Sequence, residues 1–345
     1  MINSNPVFLR ALNKEKLSTA PIWYMRQAGR YMPEYRKVRS KFKNFLDMCK
    51  DPEVCCELAL QPIEAFGLDA AILFSDILTI PDALGLKVKF IEKEGPVFEN
   101  PIKSVDDVNN LIAFEPESLS YVYEAVTNIK NALPSDIPLI GFCGSPWTLA
   151  AYSIEGHSSK NFDKTVKFIM NNKDQAHILL SKLTDACFLY LRRQVQAGAD
   201  VIQIFDSWAN ILDSKQLNNL SFNYINSLIV ALKQDPVTSN TPIILFAREP
   251  SCNSKTLIET SADCISLYWS MNNFDIELAR GKAALQGNLD PKILLESKET
   301  IKNETYKILN RFRDFPGYIF NLGHGITPNI NPEKVKYLTE IVREF

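Results

Sequence analysis

The sequence predicts an α/β fold, a single (β/α)8 TIM barrel over residues 1–345 with a small inserted hairpin after strand two. Eight short apolar runs recur along the chain, and helical periodicity separates most of them. Several of the runs end in polar or charged residues, where a barrel of parallel strands carries its site. No Gly-x-Gly-x-x-Gly follows the first run, which weighs against the alternative, a doubly wound open sheet. No repeat, low-complexity run or linker divides the chain, so one domain is expected.

A short amphipathic helix over Pro6–Asn13 precedes strand one, Ile22–Met25. Asp51 is a good N-cap and Pro52 a good first residue for a helix over Pro52–Phe66, and Gly67 ends it. Asp69 to Asp76 then reads as a near-continuous apolar strand, covered on both faces and closed by Asp76. The hairpin falls in Gly85–Pro101, where Leu86–Phe90 alternates and Gly95–Phe98 follows a charged turn. Leu119–Leu133 is helical. Pro138–Cys143 is strand three, leading into Gly144-Ser145-Pro146-Trp147, with Ala150-Ala151-Tyr152 as a short apolar segment beyond. Phe162–Ala197 carries long helical periodicity, ended by Gly198. Val201–Phe205 is strand four and runs into Asp206-Ser207-Trp208. Pro242–Phe246, Cys264–Tyr268, Ala283–Gln286 and Tyr318–Asn321 complete the set. The last two lead into Gly287-Asn288-Leu289-Asp290-Pro291 and Gly323-His324-Gly325.

Composition narrows the function. The formal net charge is −2, so no global basic field invites nucleic acid or an anionic membrane. Any attraction for a polyanion must be local to a cleft. Met1–Arg10 lacks the apolar core of a signal peptide, and no run approaches the ~20 apolar residues of a membrane span. The best candidate, Ala70–Leu78, is cut by Ser75-Asp76. Seven cysteines with no CxxC point to reduced thiols and a cytoplasmic protein. His157, His177 and His324 form no metal-ligand cluster with each other or with cysteine, so no metal is expected.

The chemistry concentrates at strand ends. Strand one runs abruptly into Arg26, with Arg30, Arg36 and Arg39 behind it. Guanidinium groups are planar forks of donors that clamp carboxylates or phosphates bidentately. Gly29 disfavours a rigid helix there and lets backbone approach a ligand. The plainer alternative is a strand end followed by a solvated basic helix. Strand two delivers Asp76, the segment after strand three Tyr152, strand four Phe205 and Ser207, and strand eight His324. Each has a plain alternative too. Asp76 can cap a turn, Tyr152 and Phe205 can be core, Ser207 can satisfy backbone, and His324 can be structural. Their shared location at one barrel face favours a site.

The run Met25-Arg26-Gln27-Ala28-Gly29-Arg30-Tyr31-Met32-Pro33-Glu34-Tyr35-Arg36 closely resembles the N-terminal signature of the uroporphyrinogen decarboxylase family. Further blocks look like the family's in their usual order: Phe74–Leu78, Phe142–Thr148, Phe205–Trp208, Gln286–Pro291 and Gly323–Ile326. The resemblance implies removal of the four acetate carboxyls of uroporphyrinogen III, giving coproporphyrinogen III, without a cofactor and in a homodimer. It implies substrate-binding and catalytic roles for Arg26, Arg30, Asp76, Tyr152, Ser207 and His324, with Arg39 a further arginine near the cleft. Two places depart from it. Ser266-Leu267-Tyr268-Trp269 stands where a Gly-hydrophobic-Asp-Trp run is usual, and Arg248-Glu249 where a Lys-Gly pair is usual. A zinc-thiolate methyltransferase of the same barrel superfamily would need clustered His/Cys ligands at the mouth. A non-catalytic tetrapyrrole binder would keep the arginines but have no need of Asp76.

Overall fold

The computed structural model describes residues 5–91 and 94–345. The strands are β1 (Ala71–Ile72), β2 (Val88–Ile91), β3 (Gly95–Phe98), β4 (Leu139–Gly144), β5 (Val201–Asp206), β6 (Ile243–Ala247), β7 (Cys264–Ser266), β8 (Ala284–Gln286) and β9 (Tyr318–Ile319). Seven form one parallel sheet in the order β1-β4-β5-β6-β7-β8-β9. Side chains alternate across it. Val201, Ile244, Cys264, Ala284 and Ile319 point to an inner cluster with Trp23, Met25 and Ala70. Ile202, Ile204, Leu245, Ile265 and Leu285 point to the outer core shared with the helices. The sheet is therefore curled, with one face inward and the other covered by helices.

Residues 21–23 hydrogen-bond to both edges of this sheet. Asp69 N–H donates to the Ile22 carbonyl (2.8 Å), and Phe320 N–H donates to the Pro21 carbonyl (2.9 Å). Strand one is nevertheless not a regular strand, and only Ile22 forms an isolated bridge, to Phe320. Side chains replace the missing ladder partners. Ile22 N–H donates to Asp69 Oδ2 (2.6 Å) and Met25 N–H to Asn321 Oδ1 (3.1 Å).

The helix Val7–Leu12 lies against the end where the strands begin, and its Phe8, Ala11 and Leu12 join the inner cluster. Gly317, at φ +80°, opens β9 there, and a Cβ on it would stand 2.7 Å from the Ala11 carbonyl oxygen. The opposite end, where the strands finish, is left for the site.

Other elements match the sequence with shifted boundaries. Pro52–Phe66 is a helix, with Asp51 accepting from the Glu53 and Val54 N–H groups and Gly67 at φ +63° ending it. Phe162–Ala197 is two helices, Asp163–Asn171 and Lys173–Gln196, because Asn172 leaves helical geometry at φ −134°. The segment with Tyr152 is the helix Pro146–Glu155, opened by Ser145, whose hydroxyl accepts from Thr148 N–H. A Gly-Ser-Pro run resembles a turn, yet Pro at the first helical position after Ser is a helix start. β2 and β3 pair antiparallel from Val88↔Phe98 to Ile91↔Gly95. Within the expected charged turn, Glu92 and Lys93 lie outside the described residues, as do residues 1–4. Among the described residues, no helix is long and apolar enough to cross a membrane.

Candidate active site

Arg26 follows the buried run Ile22–Met25 directly, with its backbone at φ +60° and its side chain exposed. This left-handed conformation is costly for a residue with a Cβ and often marks functional turns. Gly325 makes room for the side chain, since a Cβ there would lie 2.4 Å from Arg26 Cδ and 2.7 Å from Cγ. The turn is pinned from behind by Ile326 N–H, which donates to the Met25 carbonyl (3.0 Å). Strand one and the loop after β9 thus hold each other.

Asp76 lies beyond the regular end of β1. The ladder extends to Leu73, whose N–H donates to the Ile140 carbonyl (2.9 Å), and then stops. The expected strand through Asp76 is therefore shorter, because the chain turns there into the next helical segment. Asp76 Oδ1 accepts the Leu78 N–H (2.8 Å), and its carbonyl accepts the Thr79 hydroxyl (3.0 Å). The residue does cap a turn. It is also half-buried, and desolvation raises its carboxyl to about 6, opposed by the Leu78 bond and by the Arg26 charge.

The structure brings four of the expected residues into one electrostatic group. Arg26 acts on Asp76, on Tyr152 and on His324. Burial raises the Tyr152 hydroxyl, and the Asp76 charge adds to that rise. Burial lowers the His324 imidazole to about 4, with Arg26 and then Arg248 pushing the same way. At neutral pH the group holds a cation, a carboxylate, a neutral phenol and a neutral imidazole.

Aromatic rings line this end. Phe205 meets Phe142 edge-on at 5.7 Å and Phe246 at 6.1 Å. His324 lies 6.3 Å from Phe246 and 6.1 Å from Tyr268. Phe205 and Phe246 are direct register partners across β5 and β6. Trp208 packs against Tyr152 (5.8 Å) and Phe162 (4.5 Å). Ser207 stands half-buried between Asp206 and Trp208, on the turn after β5.

Arg30 and Arg39 are not drawn into the central group. Arg30 is exposed, and its charge falls on Tyr35, as does that of Arg39. Arg39 Nη1 donates to the Phe42 carbonyl (2.7 Å), and its charge opposes that of Asp76 at the Cys49 thiol. Arg36 ties down its own loop by donating to the Arg30 and Tyr31 carbonyls. The arginine cluster is thus one cation whose charge reaches Asp76, Tyr152 and His324, followed by an outer rim.

Asp206 was not singled out in the sequence, though it ends an apolar strand as Asp76 was expected to. It is fully buried and accepts from Ser145 Oγ (2.7 Å), Thr148 Oγ1 (3.0 Å) and Ser221 Oγ (2.6 Å). Burial raises its carboxyl against these three bonds. It ties the β5 turn to the start of the Tyr152 helix, a positioning role. Arg248 stands in the sequence only as a departure from the family pattern. Its guanidinium sits over the Trp208 ring, 5.4 Å from the centroid. Among the described residues, no group of three His, Cys, Asp or Glu side chains converges as a metal site.

A curled parallel sheet, plugged at one end and carrying charged and aromatic groups at the other, defines a barrel-type α/β protein with its site at the strand C-termini. The family model described as "Uroporphyrinogen decarboxylase (URO-D)" matches residues 3–345. A protein of Legionella pneumophila (strain Lens) named uroporphyrinogen decarboxylase is 46% identical over 344 residues, covering 98% of this chain and 96% of that one. One of Vesicomyosocius okutanii with the same name is 45% identical over 340 residues, covering 98% and 97%. Among solved structures, a methyltransferase from Methanosarcina mazei superimposes with a TM-score of 0.76 over 99% of both chains at 20% identity, which shows a shared fold. The chain belongs to the uroporphyrinogen decarboxylase family.

Proposed function

We propose that this chain is a carboxy-lyase that converts the four acetates of uroporphyrinogen III to methyls, giving coproporphyrinogen III for porphyrin and haem biosynthesis. Family membership over nearly the whole chain supports the substrate. The observation that carries the chemistry is the half-buried Asp76 carboxylate within reach of the Arg26 charge and of Tyr152.

Losing carbon dioxide from a simple acetate leaves a carbanion with nowhere to delocalise. Protonation of the pyrrole at ring carbon makes that ring a cationic electron sink, so the substrate supplies what a bound cofactor supplies in other decarboxylases. The protein must then hold the macrocycle and favour the cation over the resting ring. Asp76 accepts hydrogen bonds from the pyrrole N–H groups and stabilises the cation as it forms. Arg26, Arg30 and Arg39 take carboxylates, mainly those not reacting, because a tight clamp on the departing carboxylate would stabilise charge that the reaction must disperse. Phe205 offers a flat apolar surface to the macrocycle. Tyr152, Ser207 and His324 supply hydrogen bonds at its edge. His324 is neutral in the free protein, and the carboxylates of a bound substrate would raise its pKa toward the neutral range.

The reading extends to the whole molecule. Ile22–Met25 completes an eight-stranded (β/α)8 barrel as its first strand, in a single domain of 345 residues. Hydrogen bonds from this segment to both sheet edges support that closure. The family resemblance supports a homodimer with facing mouths, and the reduced thiols a cytoplasmic location. Anaerobic incubation of the purified protein with uroporphyrinogen, with carboxylates counted in the product by chromatography, tests the function. Stepwise conversion to the tetracarboxylate supports it, and unchanged substrate contradicts it.

A further inference from the structure

Arg248 follows β6, the central strand of the seven-stranded sheet, and residues 21–23 bridge that sheet's two edges. In a curled sheet those positions lie across the mouth from each other, so Arg26 and Arg248 face the same opening from opposite sides. The Arg248 backbone is fixed by its N–H, which donates to the Asp206 carbonyl (3.0 Å). Its guanidinium is held over Trp208, the ring that also packs on Tyr152. The Nε atom is buried and meets no acceptor among the described residues. The ion-paired arginines among those residues are Arg10, Arg192, Arg193, Arg280 and Arg343, and Arg248 is not one of them. The adjacent Glu249 is engaged elsewhere, accepting from Ser270 Oγ (3.2 Å). On the neighbouring strand end stands Tyr268, which brings a phenol and no carboxylate.

A buried guanidinium nitrogen without an acceptor is expensive, and such groups persist where a ligand completes them. A macrocycle with carboxylates around its whole perimeter needs cations on more than one side of the mouth. Arg26 and its neighbours serve one side.

We propose that Arg248 is a further substrate-binding residue, taking a propionate carboxylate of the macrocycle on the side of the mouth opposite Arg26. The proposal rests on the decarboxylase reading above. Propionates survive the reaction, so the contact is equal in ground state, transition state and product. It lowers KM and leaves kcat little changed. The Arg248 charge also lowers the His324 imidazole, as that of Arg26 does, and a bound propionate would neutralise that influence.

The test is steady-state decarboxylation of uroporphyrinogen III by wild type, Arg248→Met and Arg248→Lys, with coproporphyrinogen III as competitor. Loss of a charge-assisted bidentate contact should raise KM about tenfold or more in Arg248→Met. The competitor should weaken by the same factor, and kcat should stay within about threefold. Arg248→Lys keeps the charge without the fork and should fall between the two. It also carries the test if the methionine variant fails to fold. Unchanged KM and unchanged competition in folded variants would overturn the assignment, as would a loss confined to kcat. Wild type inactive on uroporphyrinogen would instead overturn the underlying reading, a result distinguishable because it appears before any variant is made.

Discussion

Asp76→Asn separates chemistry from architecture at the residue where the two overlap. The Asn Oδ1 can still accept the Leu78 N–H, so the turn that Asp76 caps is kept. The negative charge is lost. Preorganised charge facing a developing cation in a shielded site is worth roughly 3–4 kcal/mol, or about 10²–10³ in kcat. Stability should move the other way. Burial raises the folded-state pKa from its ordinary 3.8 to about 6. A group raised in this way contributes its full stability below its unfolded pKa and loses it as pH rises through the folded value. At about 1.4 kcal/mol per pH unit, the ionised carboxylate costs about 3 kcal/mol above pH 7 at most. An amide carries no such cost. The variant should therefore melt a few degrees above wild type at pH 7.5, with the difference gone near pH 4. Circular dichroism melts at both pH values and anaerobic turnover give the two readouts. Tyr152→Phe, which removes only a hydroxyl, should lose less activity than Asp76→Asn. Full turnover in a folded Asp76→Asn protein would show that the residue only caps its turn. A variant both inactive and less stable at pH 7.5 would show that its role is structural.

Further outcomes follow from the same geometry. The pH profile of kcat/KM should carry an acid limb near pH 6, with activity falling as pH drops through that value and Asp76 protonates, while a profile flat down to pH 4.5 would remove Asp76 from the free-enzyme requirement. Gly325→Ala places a methyl 2.4 Å from Arg26 Cδ and should displace that side chain, lowering kcat/KM at least tenfold while the protein stays folded; wild-type kinetics would show Arg26 is dispensable in its present position. Light scattering at micromolar concentration should report a homodimer, against which a monomer would count.

The sequence made the parallel alternation legible because strands buried on both faces read as continuous apolar runs, as in Ile243–Ala247. It also placed Arg26, Asp76, Tyr152 and His324 at one end, since strand C-termini converge there in this topology. Strand one was less legible in detail. The ladder partners of Ile22 and Met25 are the side chains of Asp69 and Asn321, distant in sequence and visible only once folded. In the sequence Tyr152 reads as part of a bare apolar segment because a helix buried at nearly every position, such as Pro146–Glu155, shows little amphipathic period. The roles of Asp206 and Arg248 are hidden in the sequence for different reasons. A buried carboxylate satisfied by three hydroxyls looks in sequence like any strand end, and a buried Arg248 Nε without an acceptor among the described residues is visible only in the fold.

Carbon dioxide release from carboxyl-labelled uroporphyrinogen III tests the function most directly. With label in the acetate carboxyls, the purified protein should release all four equivalents under anaerobic conditions, and with label in the propionate carboxyls it should release none. Label retained in the acetates, or released from the propionates, would contradict the assignment of this chain as the enzyme that converts those acetates to methyls.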